Sequence, residues 1–278
     1  MRKIASVIIS LGLIFSYSGS QALAAEKKST VQKKSTAKVK KASPSSKPKS
    51  ETPQPSTPAS SEPNTPVKLT LLHNNDGESS LLADSLYKVD TQTLVAGGAA
   101  AFATVFDREI KEARTRGNAV LSVYAGDSFL ASKNIICSEP AVAGSKKPVL
   151  DAVAQAQMPY DLHVLGNHEF DYGTQFLARY INAFGENGRS AHPFLSGNLD
   201  FKDNTDLSGL FGAETLSLGE IKTGKVIGSS YIHTDAVTKH KFGVVSAVTW
   251  TLRTISSPGT VKLTSNDLQT TAKVVQAQ

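Results

Sequence analysis

The chain has 278 residues, long enough for one large domain or two small ones, and its single cysteine, Cys137, excludes an intrachain disulfide or a cysteine-built zinc knuckle. The formal charge of +6 is misleading, because nine lysines against Glu26, Glu51 and Glu62 give residues 25–66 alone a charge of +6. Arg2 and Lys3 add two more, which leaves residues 67–278 at −2 and gives no support to a surface for duplex nucleic acid.

Met1–Ala24 begins with Arg2 and Lys3, continues as an apolar run from Ile4 to Phe15, and ends in Ala22-Leu23-Ala24. That anatomy predicts a signal peptide cleaved near Ala24 and a secreted or periplasmic protein. The apolar run is short for a membrane span, and no cysteine adjoins the cleavage site to carry a lipid. Residues 25–66 are Lys-, Ser-, Thr- and Pro-rich, with Ala and Val as the apolar residues and no aromatic. Such a segment buries too little surface to offset its ordering entropy, which predicts a disordered tether with a reach on the order of 35 Å. Its charge suits a weak contact with an anionic envelope surface, although a solvated spacer is the plainer expectation.

Residues 67–278 alternate strand and helix. Leu69–His73 is the first predicted strand and leads to Asn74-Asn75-Asp76-Gly77-Glu78. Gly98–Arg116 is predicted as a helix, since Phe102, Phe106, Ile110 and Ala113 share one face and Gly117-Asn118 stops it. Ala119–Tyr124 is the second strand and leads to Gly126-Asp127. Cys137 falls in what reads as an ordinary loop, and Val149–Ala156 is a short helix. Tyr160–Leu165 is the third strand, ending in Gly166-Asn167-His168-Glu169-Phe170-Asp171-Tyr172-Gly173, and Thr174–Tyr180 is helical. A fourth strand, Pro193–Ser196, ends at Gly197-Asn198. Lys225–His233 and Lys241–Thr249 are two β-rich runs that suggest a hairpin or neighbouring strands opening a second sheet, and Leu268–Gln276 is a helix. The pattern predicts an α/β fold with a mainly parallel sheet, where ligands gather at the carboxyl ends of the strands.

Three such ends carry costly polar residues: Asp76, Asp127, and Asn167 with His168. Taken singly, an aspartate after a strand is usually a turn or cap residue. In order, however, Asp76, Gly126-Asp127 and Gly166-Asn167-His168-Glu169 resemble the first three motifs of the calcineurin-like metallophosphoesterases. The full Gly166–Gly173 run, with Leu71–Asp76 before it, resembles the 5'-nucleotidase branch of that superfamily. The resemblance implies a four-layer α/β/β/α sandwich over residues 67–278. It also implies two divalent ions (Mn, Zn or Mg) that activate water to hydrolyse nucleotide phosphomonoesters. Asp127 would bridge the ions, Asp76 would hold the first and Asn167 the second. His168 would act in catalysis, with Asp171 orienting its ring.

Two departures qualify the resemblance. Glu78 stands where the family has histidine, as an oxygen ligand that would tilt the site from zinc toward manganese or magnesium, or else as a mere cap. After Thr249 nothing matches the family's later histidine motifs, so the domain is expected to be incomplete at its carboxyl end. Cyclic-nucleotide phosphodiesterase, nucleotide-sugar hydrolase and a non-catalytic remnant holding at most one metal are the alternatives. His73 matches a supporting position of the family. His163, His192, His233 and His240 have no motif around them and read as ordinary strand or loop residues.

Overall fold

The computed structural model describes residues 5–6, 66–186 and 191–278. Apart from Ala5–Ser6 and residue 66, the expected signal peptide and tether lie outside the described residues. The elements in order are β1 (Ala5–Ser6), β2 (Leu69–Asn74), β3 (Asp84–Val89), β4 (Gln92–Ala96), α1 (Ala99–Thr115), β5 (Ala119–Tyr124), α2 (Lys133–Cys137), α3 (Leu150–Gln155) and β6 (Leu162–Val164). A 3-10 turn (His168–Phe170) and α4 (Gly173–Ala183) follow, then β7 (Phe194–Leu195), β8 (Leu199–Asp200), β9 (Thr215–Leu216), α5 (Leu218–Lys222), β10 (Ile227–Gly228), β11 (Ser230–Thr234) and β12 (Lys241–Val245). The described chain closes with α6 (Leu252–Ile255), β13 (Lys262–Leu263) and α7 (Leu268–Ala277).

The central sheet is parallel, and its strands lie side by side in chain order: β2, β5, β6, β7, β10. Right-handed crossovers between strands laid down in that order send their connecting helices to one face. The other face is left for a second sheet, ordered β1-β12-β11-β9. Strand β5 is buried at every position, as its continuous apolar run requires of a strand covered on both faces. Alternation then divides its side chains. Tyr124 packs with Phe106 of α1 and with Tyr160, flanked by Leu72, Phe102 and Ile110. Leu121 and Val123 belong to the main core with Leu216, Tyr231 and Val244 from the second sheet.

Three local expectations change. The run from Lys225 to His233 is two strands in different sheets. Residues 227–228 pair with β7, and Ser230 onward pairs with β9 and β12. The hydrogen bonds switch partner within two residues, from Ser196 N–H on the Gly228 carbonyl to Ser230 N–H on the Glu214 carbonyl. A β3–β4 hairpin stands between β2 and α1 where no element was expected, turning at Asp90 in the left-handed region. Cys137 is the exposed last residue of α2 rather than a loop residue, because the Ser132 hydroxyl accepts from Ile135 N–H and starts a helical turn. Among the described residues no helix is long and apolar enough to cross a membrane.

Candidate functional site

Four turns form a rim at the carboxyl end of the parallel sheet. The Asp76 turn is fixed to the Asp127 turn by backbone bonds: Asp76 N–H donates to Gly126 O at 3.1 Å, and Glu78 N–H to Asp127 O at 3.3 Å. Asp76 and Asp127 both sit at positive φ, at 51° and 59°. Strain of this kind persists only where the surroundings over-determine it. The third turn presses on the second. Gly126 and Gly166 meet back to back, and a Cβ on Gly166 would overlap Asp127 Oδ1, so glycine is required there.

Glu169 locks these turns from below. Its carboxylate is buried and accepts backbone N–H bonds from Gly166 (2.6 Å), Asp127 (3.0 Å) and Ser128 (2.6 Å). Burial and the Asp127 charge push its pKa up, against the pull of those donors. Sequence reasoning gave Glu169 no role of its own; its place inside the Gly166–Gly173 run was the available signal.

On the open side of the rim Asp76 and Asp127 face each other. Partial burial and then the Asp127 carboxylate raise the Asp76 pKa above the ordinary value. Asp127 Oδ1 also accepts His168 N–H at 3.0 Å. His168 Nδ1 lies 2.7 Å from Asp171 Oδ2, so Nδ1–H donates and Nε2 is left free. Burial disfavours the imidazolium, but the Asp171 bond and the charges of Asp127, Asp171 and Glu169 outweigh it and raise the pKa. Ser256 Oγ donates to Asp171 Oδ1 at 2.8 Å. This contact spans 85 positions of sequence, and no local signal pointed to it.

The Asn167 side chain caps nothing and has no hydrogen-bond partner among the described residues. Two mutually repelling carboxylates, with the oxygen-bearing side chain of Asn167 on the adjoining turn, are donors of the type that suits a hard divalent cation. Among the described residues, though, no three His, Cys, Asp or Glu side chains converge as a metal cage. Glu78 is exposed, and its carboxylate makes none of these contacts. His73 is exposed as well.

The remaining histidines lie elsewhere. Buried His163 faces half-buried His192, Nδ1 to Nε2 at 2.7 Å. His163 Nε2 faces Gln155 Oε1 at 3.2 Å, and its ring stacks on Tyr124 at 5.0 Å. His233 approaches Asp161 at 3.8 Å, at the amino end of β6 and so at the opposite end of the strand from Asn167. The fourth strand end is also structural: buried Asn198 clamps Val248, accepting from its N–H and donating to its carbonyl, both at 2.8 Å.

No family model matches the chain, and no curated protein matches it by sequence. Solved structures do. A 5'-nucleotidase precursor from Thermus thermophilus is 24% identical with a TM-score of 0.53, over 73% of this chain and 33% of that one. The NAD nucleotidase of Haemophilus influenzae is 24% identical with a TM-score of 0.53, over 75% and 35%. The sulfate thiohydrolase SoxB of Thermus thermophilus is 13% identical with a TM-score of 0.50, over 78% and 42%. The chain thus spans about a third of the length of the two nucleotidases it matches. Over that stretch its fold, a parallel sheet faced by helices on one side and by a second sheet on the other, is like that of these 5'-nucleotidase structures.

Proposed function

We propose that the chain is an exported, metal-dependent phosphoesterase that hydrolyses nucleotide phosphomonoesters. The observation that carries this is the meeting of Asp76 and Asp127 beside the His168–Asp171 pair, at the carboxyl ends of three adjacent strands, in a fold shared with nucleotidases. Asp76, Asp127 and Asn167 would hold two divalent cations between them, and exposed Glu78 is free to turn toward one of these. All four donate oxygen, which favours manganese or magnesium over zinc. When bound, such an ion supplies a water of lowered pKa and neutralises phosphate oxygens.

The chain's own residues do the rest. Asp171 accepts Nδ1–H and, with the neighbouring carboxylates, favours the imidazolium, so the charged ring carries a second proton at Nε2 to give to the leaving alkoxide. Ser256 keeps Asp171 turned toward the ring. Glu169 holds the Asp127 backbone so that its carboxylate faces Asp76. Export rests on the Met1–Ala24 pattern, with residues 25–66 as a tether that limited proteolysis removes to leave a core beginning near Val67. A protected fragment retaining Lys33–Lys49 would sink the tether.

Among the described residues no third His, Cys, Asp or Glu converges on the pair, which favours a second reading, a remnant that holds one ion and does not turn over. Metal analysis and phosphate release on the same preparation decide between them. Asp127→Asn is expected to lose most bound Mn²⁺, whereas His168→Ala keeps it and loses hydrolysis. If His168→Ala loses as much metal as Asp127→Asn, the catalytic assignment of His168 is wrong. Metal uptake without phosphate release by the wild type selects the remnant.

A further inference from the structure

Beside the rim lies a cavity of about 230 Å³, and Asp76 stands in its wall. Its other walls are mainly apolar, with Phe102 from α1, Met158 after α3, and the rings of Tyr124 and Tyr160. These rings are fixed before any ligand arrives. Tyr124 and Tyr160 meet edge to face at 5.4 Å, and Phe106 braces Tyr160 at 5.1 Å and Phe102 at 5.3 Å. Both phenol hydroxyls are engaged: Tyr124 accepts Gly77 N–H at 2.9 Å, and Tyr160 donates to Asn74 Oδ1. The rings therefore offer apolar faces and ask for no polar partner.

Charge and volume narrow the occupant. Among the described residues no lysine, arginine or histidine lines the cavity, and the carboxyl in its wall is Asp76, so an anion is unwelcome inside. A dry cavity of about 150 Å³ accepts benzene. The space here takes one substituted six-membered ring and is too small for a whole nucleotide. We propose that this cavity binds the uncharged planar ring of the leaving alcohol while the phosphate stays at the Asp76–Asp127 rim, an assignment that rests on the phosphoesterase reading. The ring has two possible sources, an aryl ester whose ring bears the phosphate oxygen or a nucleobase reached through its ribose.

The test is a fluorine NMR titration of the full chain with 4-fluorophenol and with 5-fluorouridine, with Mn²⁺ uptake measured in parallel. Saturable binding is expected for at least one probe. It should weaken tenfold or more in Ala154→Phe and in Met158→Trp, which fill the cavity from the α3 side, with Mn²⁺ uptake and the thermal transition retained. Preference for 4-fluorophenol supports the aryl source, and preference for 5-fluorouridine the nucleobase. Undiminished binding in both filled variants overturns the assignment. So does a wild type that takes up Mn²⁺ but neither ring, and that result leaves the phosphoesterase reading standing. Ring binding without Mn²⁺ uptake overturns the reading itself and, with it, the leaving-group role.

Discussion

Glu169 shows how much of a site rests on a residue outside its chemistry. One buried carboxylate accepts three backbone N–H groups from two different turns, so it sets the separation of Asp127 from Asn167. In Glu169→Gln an NH₂ group replaces one acceptor and at least one of those N–H groups is orphaned, at a cost of about 1–3 kcal/mol. Urea unfolding would show this as a lowered midpoint with an unchanged slope. An unshifted midpoint would mean that the turns hold themselves. The rim was legible at this scale because its polar residues follow apolar strands directly, and a parallel sheet gathers such ends. Ser256 was not legible, nor was the supporting role of Glu169, since both depend on which turns touch. The part given to Glu78 rested on its spacing from Asp76 alone, and its exposed carboxylate makes none of the rim contacts.

Among the elements, the long helix α1 was readable from its four-residue stripe and was found within a residue of the expected ends. The β3–β4 hairpin and the split between β10 and β11 were not. Short strands carry too few residues for a period, and which sheet a strand joins is decided by distant partners. The turn between β11 and β12 illustrates such a decision. Asp235 is fully buried there, receives N–H bonds from Val120 (3.1 Å) and Thr238 (2.6 Å), and is ion-paired with Arg114 of α1. It ties the second sheet to the first strand–helix unit. Asp235→Ala leaves Arg114 and the Val120 N–H without their partner, and a loss of about 3–5 kcal/mol is expected. Asp235→Asn should recover part of it. Equal stability of Asp235→Ala and wild type in urea would show the tie to be idle.

For the molecule as a whole, the buried ionisable groups predict sensitivity to acid. Burial lowers the pKa of His192 to about 3 and that of His163 well below the usual value, with the His192 ring adding to the effect on His163. The unfolded chain binds these protons near pH 6.5. Each histidine therefore lowers stability as pH falls below that point, by about 1.4 kcal/mol per pH unit until the folded form also titrates. Asp235 adds to this at lower pH. Burial opposes its charge, but bonds from Thr238, Val120 and Arg114 hold its pKa well below the carboxylate range. Its contribution is present above about pH 4 and lost as pH falls further. Buried Glu169 and Asp151, whose pKa values burial raises, pull the other way as pH falls, so the pair is read by difference: His192→Gln should lose less stability than the wild type between pH 6.5 and pH 4, and equal losses would contradict the histidine pair.

The chain-order sheet also bears on synthesis. Each strand from β2 to β10 finds its neighbour in the segment made just before it, so loop closures stay local and pairing can follow translation. The rim residues from Asp76 to Asp171 are synthesised before β9, β11 and β12 of the sheet that covers the other face. A nascent chain would thus carry its most polar, most strained corner on an incomplete sandwich for as long as the second sheet takes to arrive.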